Sequence, residues 1–301
     1  MATILGVAFM NGIGNFILLT AAIKVLKSRT SCSIHLITDE RFLQNEALME
    51  LSKGIFDVIT CECDPEQYRR VYNFPWCPPK VEGLERATTN WVSSGLHEVQ
   101  MYFNTIEASW KDYQGFILNP KYVRIPETKK LKIVLSNCSG TPMAEKKQWD
   151  GFPELSDRLI DLGYEVYLVG TGDELQDCSG HNFINELSIT ETASVIEQCD
   201  LLIATSTGNV HIADAVGTPI LLLEGPILTT KNHPLNVNYD IVRSYISCAP
   251  CFQKSLWEQC THYTCMKSIT TADVLQKMKA FLPRMNRPID RFKDFSERTF
   301  I

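Results

Sequence analysis

The sequence predicts an α/β protein made of two doubly wound halves, each a parallel sheet with helices on both faces. Short apolar runs of strand length alternate with segments of helical spacing, as where Ile4 to Phe9 is followed by Phe16 to Leu26. The alternation halts in a polar, proline-containing stretch, Arg124 to Lys130, and starts anew at Leu131. Finally, the stretch from Asp200 to Pro226 reads as strand, turn, helix and strand in direct succession.

In the first half, Ile4 to Phe9 is an apolar strand and Phe16 to Leu26 a helix with an apolar stripe. Ser33 to Thr38 is a strand, Leu43 to Leu51 a helix, and Ile55 to Cys61 a further strand. Asp64 to about Trp91, rich in Pro, Cys and aromatics with weak periodicity, is expected to form loops and short pieces around an open face. In the second half a strand runs from Leu131 to Leu135, and Phe152 to Leu162 is a helix with Leu155, Leu159 and Leu162 on one face. Glu165 to Val169 is a strand and Glu191 to Gln198 a helix. With the unit from Asp200 to Glu224 this gives a four-strand alternation whose crossovers are expected to be right-handed.

Within that last unit, Leu201 to Ala204 is the strand, Thr205 to Gly208 the small polar turn, and Val210 to Val216 the helix. The first turn of such a helix carries unpaired N–H groups and the positive end of the helix dipole. The Ser206-Thr207-Gly208 turn therefore suits an anion such as a diphosphate, with His211 one turn into the helix.

Composition fits a soluble intracellular enzyme. The 301 residues, 45% hydrophobic and 21% charged, suffice for two cores of ordinary size. A formal net charge of −6 gives nucleic-acid binding no support, although a local basic patch could hide inside that total. Met1 to Phe9 lacks a signal-peptide pattern and no apolar run approaches the ~18 residues of a membrane span, so a cytoplasmic protein is expected. In a chain of this size without an export signal, the eleven cysteines are expected to be reduced. Four of them cluster: Cys248, Cys251, Cys260 and Cys265. Two readings are open, a tetrahedral thiolate site for structural zinc, or free thiols packed under an irregular loop.

The residues Thr207, Gly208, His211, Gly217, Pro219, Gly225 and Pro226 together resemble the signature of glycosyltransferase family 9, which includes the heptosyltransferases of lipopolysaccharide synthesis. Ser206 stands where the family usually has Asp. Cys248, Pro250, Cys251, Cys260, Cys265 and Met266 match a second family segment. The resemblance implies the glycosyltransferase B fold, two Rossmann-like domains facing each other across a cleft. Residues 1–124 would form the acceptor-side domain, 125–283 the nucleotide-sugar domain, and 284–301 a tail crossing back to the first. It also implies a metal-independent, inverting transfer of a sugar from a nucleotide-diphosphate donor to an acceptor hydroxyl, with no cofactor required for catalysis. The acceptor would be a glycan or lipid-linked glycan.

Residue by residue, Lys147 in Lys146-Lys147-Gln148-Trp149 resembles the family lysine that contacts the donor's phosphates. Negative charge grows on the departing diphosphate, and a nearby cation stabilises it. Thr171 and Glu174, in Gly170-Thr-Gly-Asp-Glu174, match a turn that in the family lies near the donor ribose. Gly12 and Gly14, counted among the donor-binding residues, form the glycine turn after the first strand, and Asn15 occupies the place of the aspartate proposed as general base. An amide has no useful basicity near neutral pH. His97 and Glu98, in a His-Glu-Val segment, are the candidates for a substitute base. Two alternatives accompany the main reading. Because the first domain is short and diverged, one is a transferase with an unusual acceptor, such as a modified nucleobase or a protein; because Asn15 and Ser206 replace both family aspartates, the other is a catalytically silent nucleotide-sugar binding protein.

Overall fold

The computed structural model describes residues 4–9, 11–75, 96–137, 144–227, 229–252 and 257–285. The chain divides into two units, Met1–Asn119 and Pro120–Ile301. In the first, β1 (Ile4–Ala8) leads into α1 (Ile13–Arg29), then β2 (Ser33–Ile37), α2 (Glu40–Leu43), α3 (Glu46–Ser52), β3 (Val58–Thr60), β4 (Arg70–Asn73) and α4 (Glu98–Thr105). The strands form one parallel sheet in the order β3-β2-β1-β4. α1 is buried almost all round, from Phe16 to Leu26, because it fills the face of a sheet that is itself covered.

Two local readings of the sequence differ from this unit. The helix expected over Leu43 to Leu51 is two short helices, because Asp39 and Asn45 each turn a side-chain oxygen onto backbone N–H groups and start a new helix. In the stretch from Asp64 to about Trp91, read as loops and short pieces rather than a regular layer, the residues beyond 75 lie outside the described residues, and the part before them contains β4, which pairs with β1 from Leu5↔Arg70 to Ala8↔Asn73. Its Arg-Val-Tyr-Asn has no continuous apolar run, because an edge strand is covered less completely than a central one.

The second unit comprises β5 (Lys132–Ser136), α5 (Phe152–Asp161), β6 (Glu165–Leu168), β7 (His181–Asn182), α6 (Ile189–Glu197), β8 (Leu201–Thr205), α7 (Gly208–Val216), β9 (Ile220–Glu224), β10 (Tyr239–Arg243), α8 (Thr264–Lys267) and α9 (Thr271–Phe281). Its six strands are all parallel, in the order β10-β9-β8-β5-β6-β7. The four central strands are those the alternation predicts, and β7 and β10 add the two edges. β8 and β9 are buried at every position, as strands covered on both faces must be. The core beneath them joins Ile133, Leu135, Phe152, Leu155, Ile203 and Leu221 to α9 through Val274, Met278 and Phe281.

The segment entering this unit is tied to α6. Lys121 N–H donates to the Thr190 carbonyl (3.1 Å), Val123 N–H to Ser194 Oγ (3.0 Å), and the Lys121 ammonium pairs with Glu191 at 2.7 Å. That lysine, with the Ser188 cap, holds the Glu191 carboxyl down at about 2. The tail expected over 284–301 lies, beyond Met285, outside the described residues.

Candidate functional site

In an open parallel sheet, ligands bind beyond the carboxyl ends of the strands where the strand order reverses. In the second unit that point lies between β5 and β8: the chain steps from β5 to β6 on one side, then to β8 and β9 on the other. The two strand ends are bonded to one another. Asn137, just after β5, accepts from Thr205 Oγ at 3.2 Å and from the Trp149 N–H at 3.2 Å, and donates Nδ2–H to the Trp149 carbonyl at 3.2 Å. Asn209 donates to Ser136 Oγ at 2.8 Å, so the first turn of α7 is fastened to the end of β5.

Ser206 and Thr207 connect β8 to α7, and no side chain caps that helix at its N-cap, Thr207. No acidic residue occupies its first turn. The positive end of the α7 dipole is thus met by neither a side-chain cap nor an acid of its own first turn. His211 is 8% exposed, and burial pushes its imidazole down to about 4. It is neutral at pH 7, so it can offer an N–H but not a positive charge. α7 ends at Gly217 with φ of 93°, the left-handed cap that favours glycine.

Asn137 holds Trp149 in place, and Trp149 also donates Nε1–H to the Ile269 carbonyl at 2.9 Å. This anchors the Lys146-Lys147-Gln148 turn beside the strand ends. Lys146 turns its ammonium to the Glu258 carbonyl at 3.4 Å. The half-buried Lys147 has no hydrogen bond or ion pair to its ammonium among the described residues. Gln148 donates to Glu174 Oε1 at 3.0 Å, joining this turn to the one that follows β6. That second turn is clamped by Asn185, which accepts from Gly172 N–H (2.9 Å) and donates to its carbonyl (3.1 Å), with Thr171 exposed beside it. Lys147, Thr171, Glu174, Ser206, Thr207, Gly208 and His211 therefore all lie on loops or helix starts at one end of one sheet. In the sequence Ser136 and Asn137 were visible only as small polar residues closing an apolar run, and Asn209 only as a polar residue at the start of a helix.

Beside this region β9 and β10 end at a cavity of about 330 Å³, walled by Glu224, Gly225, Arg243, Ser244, Tyr245 and Pro250. The buried Glu224 carboxylate is ion-paired with Arg243. A side chain at Gly225 would collide with Met266 and come within 3.1 Å of Cys265 Sγ, so the Gly-Pro after β9 and the Cys-Met of α8 are packing partners. Cys248, Cys251, Cys260 and Cys265 are all free thiols, and burial pushes Cys265 up to about 11. Among the described residues no group of three or more His, Cys, Asp or Glu is placed to hold a metal ion. Cys251, Cys260 and Cys248 all lie near enough to Cys265 to act on its charge, so the four thiols of the cluster are neighbours.

In the first unit, Gly12 is the N-cap of α1 and Gly14 and Asn15 lie in its first turn. Asn15 donates Nδ2–H to Glu98 Oε1, and Tyr102 Oη donates to the same oxygen. Glu98 is fully buried. His97 is the N-cap of α4: its Nδ1 accepts the Val99 N–H at 3.1 Å while its ring meets Trp110 edge-on, with centroids 6.3 Å apart. The structure brings Asn15 and Glu98 together and uses His97 as a cap.

The sequence profile of glycosyltransferase family 9 (heptosyltransferase) matches residues 67–262. The chain belongs to glycosyltransferase family 9. Lipooligosaccharide heptosyltransferase 2 of Haemophilus influenzae is 26% identical over 125 residues, a match that spans 36% of this chain and 36% of that relative. Several solved structures share the fold. The family 9 glycosyl transferase from Veillonella parvula has a TM-score of 0.63 at 17% identity, covering 94% of this chain and 99% of that one. The Escherichia coli ADP-heptose LPS heptosyltransferase II also has a TM-score of 0.63, at 15% identity, covering 93% and 98%. The fold is the glycosyltransferase B type that the sequence resemblance implies. Among the described residues no helix is long and apolar enough to cross a membrane.

Proposed function

We propose that this family 9 glycosyltransferase transfers a heptose-like sugar from a nucleotide-diphosphate donor to a hydroxyl of a glycan or lipid-linked glycan, with inversion and without a metal, in the cytoplasm. The observation that carries the donor half of this reading is the uncapped start of α7 at the strand-order reversal, braced by Asn137 and Asn209. In this reading the donor's diphosphate rests on the amides after Ser206, with Thr207, Gly208 and His211 around it. As the bond from the sugar's anomeric carbon to the diphosphate oxygen breaks, negative charge accumulates on the leaving group. The α7 dipole and the Lys147 ammonium, both at that end of the sheet, stabilise it more in the transition state than in the ground state. Thr171 and Glu174 face the ribose, where a carboxylate accepts from its hydroxyls. The acceptor falls to the first unit, with Asn15 and Glu98.

The test is a thermal-shift screen with ADP, GDP, UDP, CDP and TDP on the wild-type chain and on Lys147→Ala. A ligand at about a hundred times its dissociation constant adds ~2.7 kcal/mol of stability. Stabilisation by one nucleotide that Lys147→Ala weakens on the order of tenfold or more supports the donor site. No response to any of the five would sink it. Release of that nucleoside diphosphate from its sugar conjugate only when acceptor glycan is added separates a transferase from a silent binder.

A further inference from the structure

The family's aspartate position is held by Asn15, and the nearest carboxylate has come from another helix. Asn15 lies in the first turn of α1 and is half-buried; Glu98 is the first residue of α4 and is fully buried. Tyr102, four residues on and hence on the same face of α4, completes the group by donating to the Glu98 oxygen that Asn15 also reaches. A carboxylate only accepts hydrogen bonds, so the contact settles which way the Asn15 amide points: Nδ2 inward to Glu98, leaving Oδ1 as the atom that a ligand can use.

We propose that Asn15 and Glu98 are a transposed amide–acid pair, in which Glu98 carries the negative charge expected at position 15 and acts as a positioning residue. This inference rests on the transferase reading above. Glu98 is too deeply buried to touch a hydroxyl of an acceptor. It aims the Asn15 carbonyl oxygen at that hydroxyl, which Asn15 orients through a hydrogen bond and whose proton Asn15 does not take. It follows that Asn15→Asp is not a restoration. It would press two carboxylates together, and one of them could stay only by keeping its proton. In the reciprocal exchange, Asn15→Asp with Glu98→Gln, the new amide at position 98 donates to the new carboxylate at position 15. The pair is then whole again with the charge on the other member.

The experiment compares wild type, Asn15→Asp, Glu98→Gln and the double variant by urea unfolding at pH 5 and pH 8. A carboxyl group whose folded pKa is raised gives stability at low pH that is lost as pH climbs toward that raised value. The midpoint of Asn15→Asp, relative to wild type, should therefore fall between pH 5 and pH 8, and the double variant should track wild type. If Asn15→Asp does not fold at all, a folded double variant carries the same message. A double variant no better than Asn15→Asp overturns the pairing, as does an Asn15→Asp chain whose midpoint shows no such pH dependence. Glu98→Gln should raise the acceptor KM on the order of tenfold while leaving the donor KM unchanged, a split that a merely structural glutamate would not produce. The unfolding comparison requires no turnover, so its outcome is independent of whether the donor screen succeeds.

Discussion

At the residue scale, His211 shows how burial changes what a motif residue does. The sequence marks it as a helper for a bound phosphate, and the structure buries it one turn into α7, where its surroundings keep it neutral. A histidine held near 4 when folded and near its usual ~6.5 when unfolded takes up its proton in the unfolded chain first. Stability is then full above about pH 6.5 and is lost as pH falls from there toward 4, by a total on the order of 3 kcal/mol. Urea titrations at pH 7 and pH 4.5 check this: the wild type should lose much of that amount, and His211→Asn should lose less. A pH-independent wild type would contradict the burial argument. His97 teaches the complementary lesson, since a histidine read as a base candidate serves as a helix cap. Its side chain turns back onto its own helix, and the residue order alone leaves both roles open.

At the scale of the element, α7 was the most legible piece of the chain. An apolar strand, a small polar turn, a helical stripe and a glycine ahead of a proline are local signals, and each answers to local physics. What holds α7 from behind is not local. The fully buried Asp214 accepts the N–H groups of Leu235 (2.8 Å), Asn236 (2.7 Å) and Val237 (3.3 Å), pinning the helix to the segment before β10. Asp214→Ala would strand those three amides, two of them on buried residues, and should cost on the order of 3 kcal/mol in chemical denaturation. It should also weaken nucleotide binding, because the amides after Ser206 lose their bearing. A loss under ~1 kcal/mol would mean that water replaces the carboxylate. β4 marks the opposite case: its half-exposed Arg-Val-Tyr-Asn lacks an apolar run, and only its pairing with β1 makes it a strand.

For the whole molecule, the two units divide the proposed work, and a ligand should report that division. Hydrogen exchange with and without the stabilising nucleoside diphosphate should show protection at residues 144–149, 171–174 and 205–211 of the second unit. Little change is expected through α1 and β2 of the first. Equal protection in both units would require a donor site built differently from the one described. The family and the two-part α/β plan were readable because both depend on repeated short-range patterns: buried strands, helical stripes, and glycines where a turn requires them. The β7 and β10 edges were not, because an edge strand of two to five residues is stabilised by its neighbour rather than by its own composition.

The sequence by itself determined the alternation of strands and helices and the small polar turn from Ser206 to Gly208 that joins β8 to α7. These follow from hydrophobic period, helix-end chemistry and backbone freedom, all of which act over a few residues. Only the tertiary structure decided that Asn137 binds two strand ends together, that Gln148 meets Glu174, and that Glu98 faces Asn15. Each of these contacts joins residues far apart in the chain. Their partners are chosen by how sheets and helices pack, which no local stretch of residues encodes.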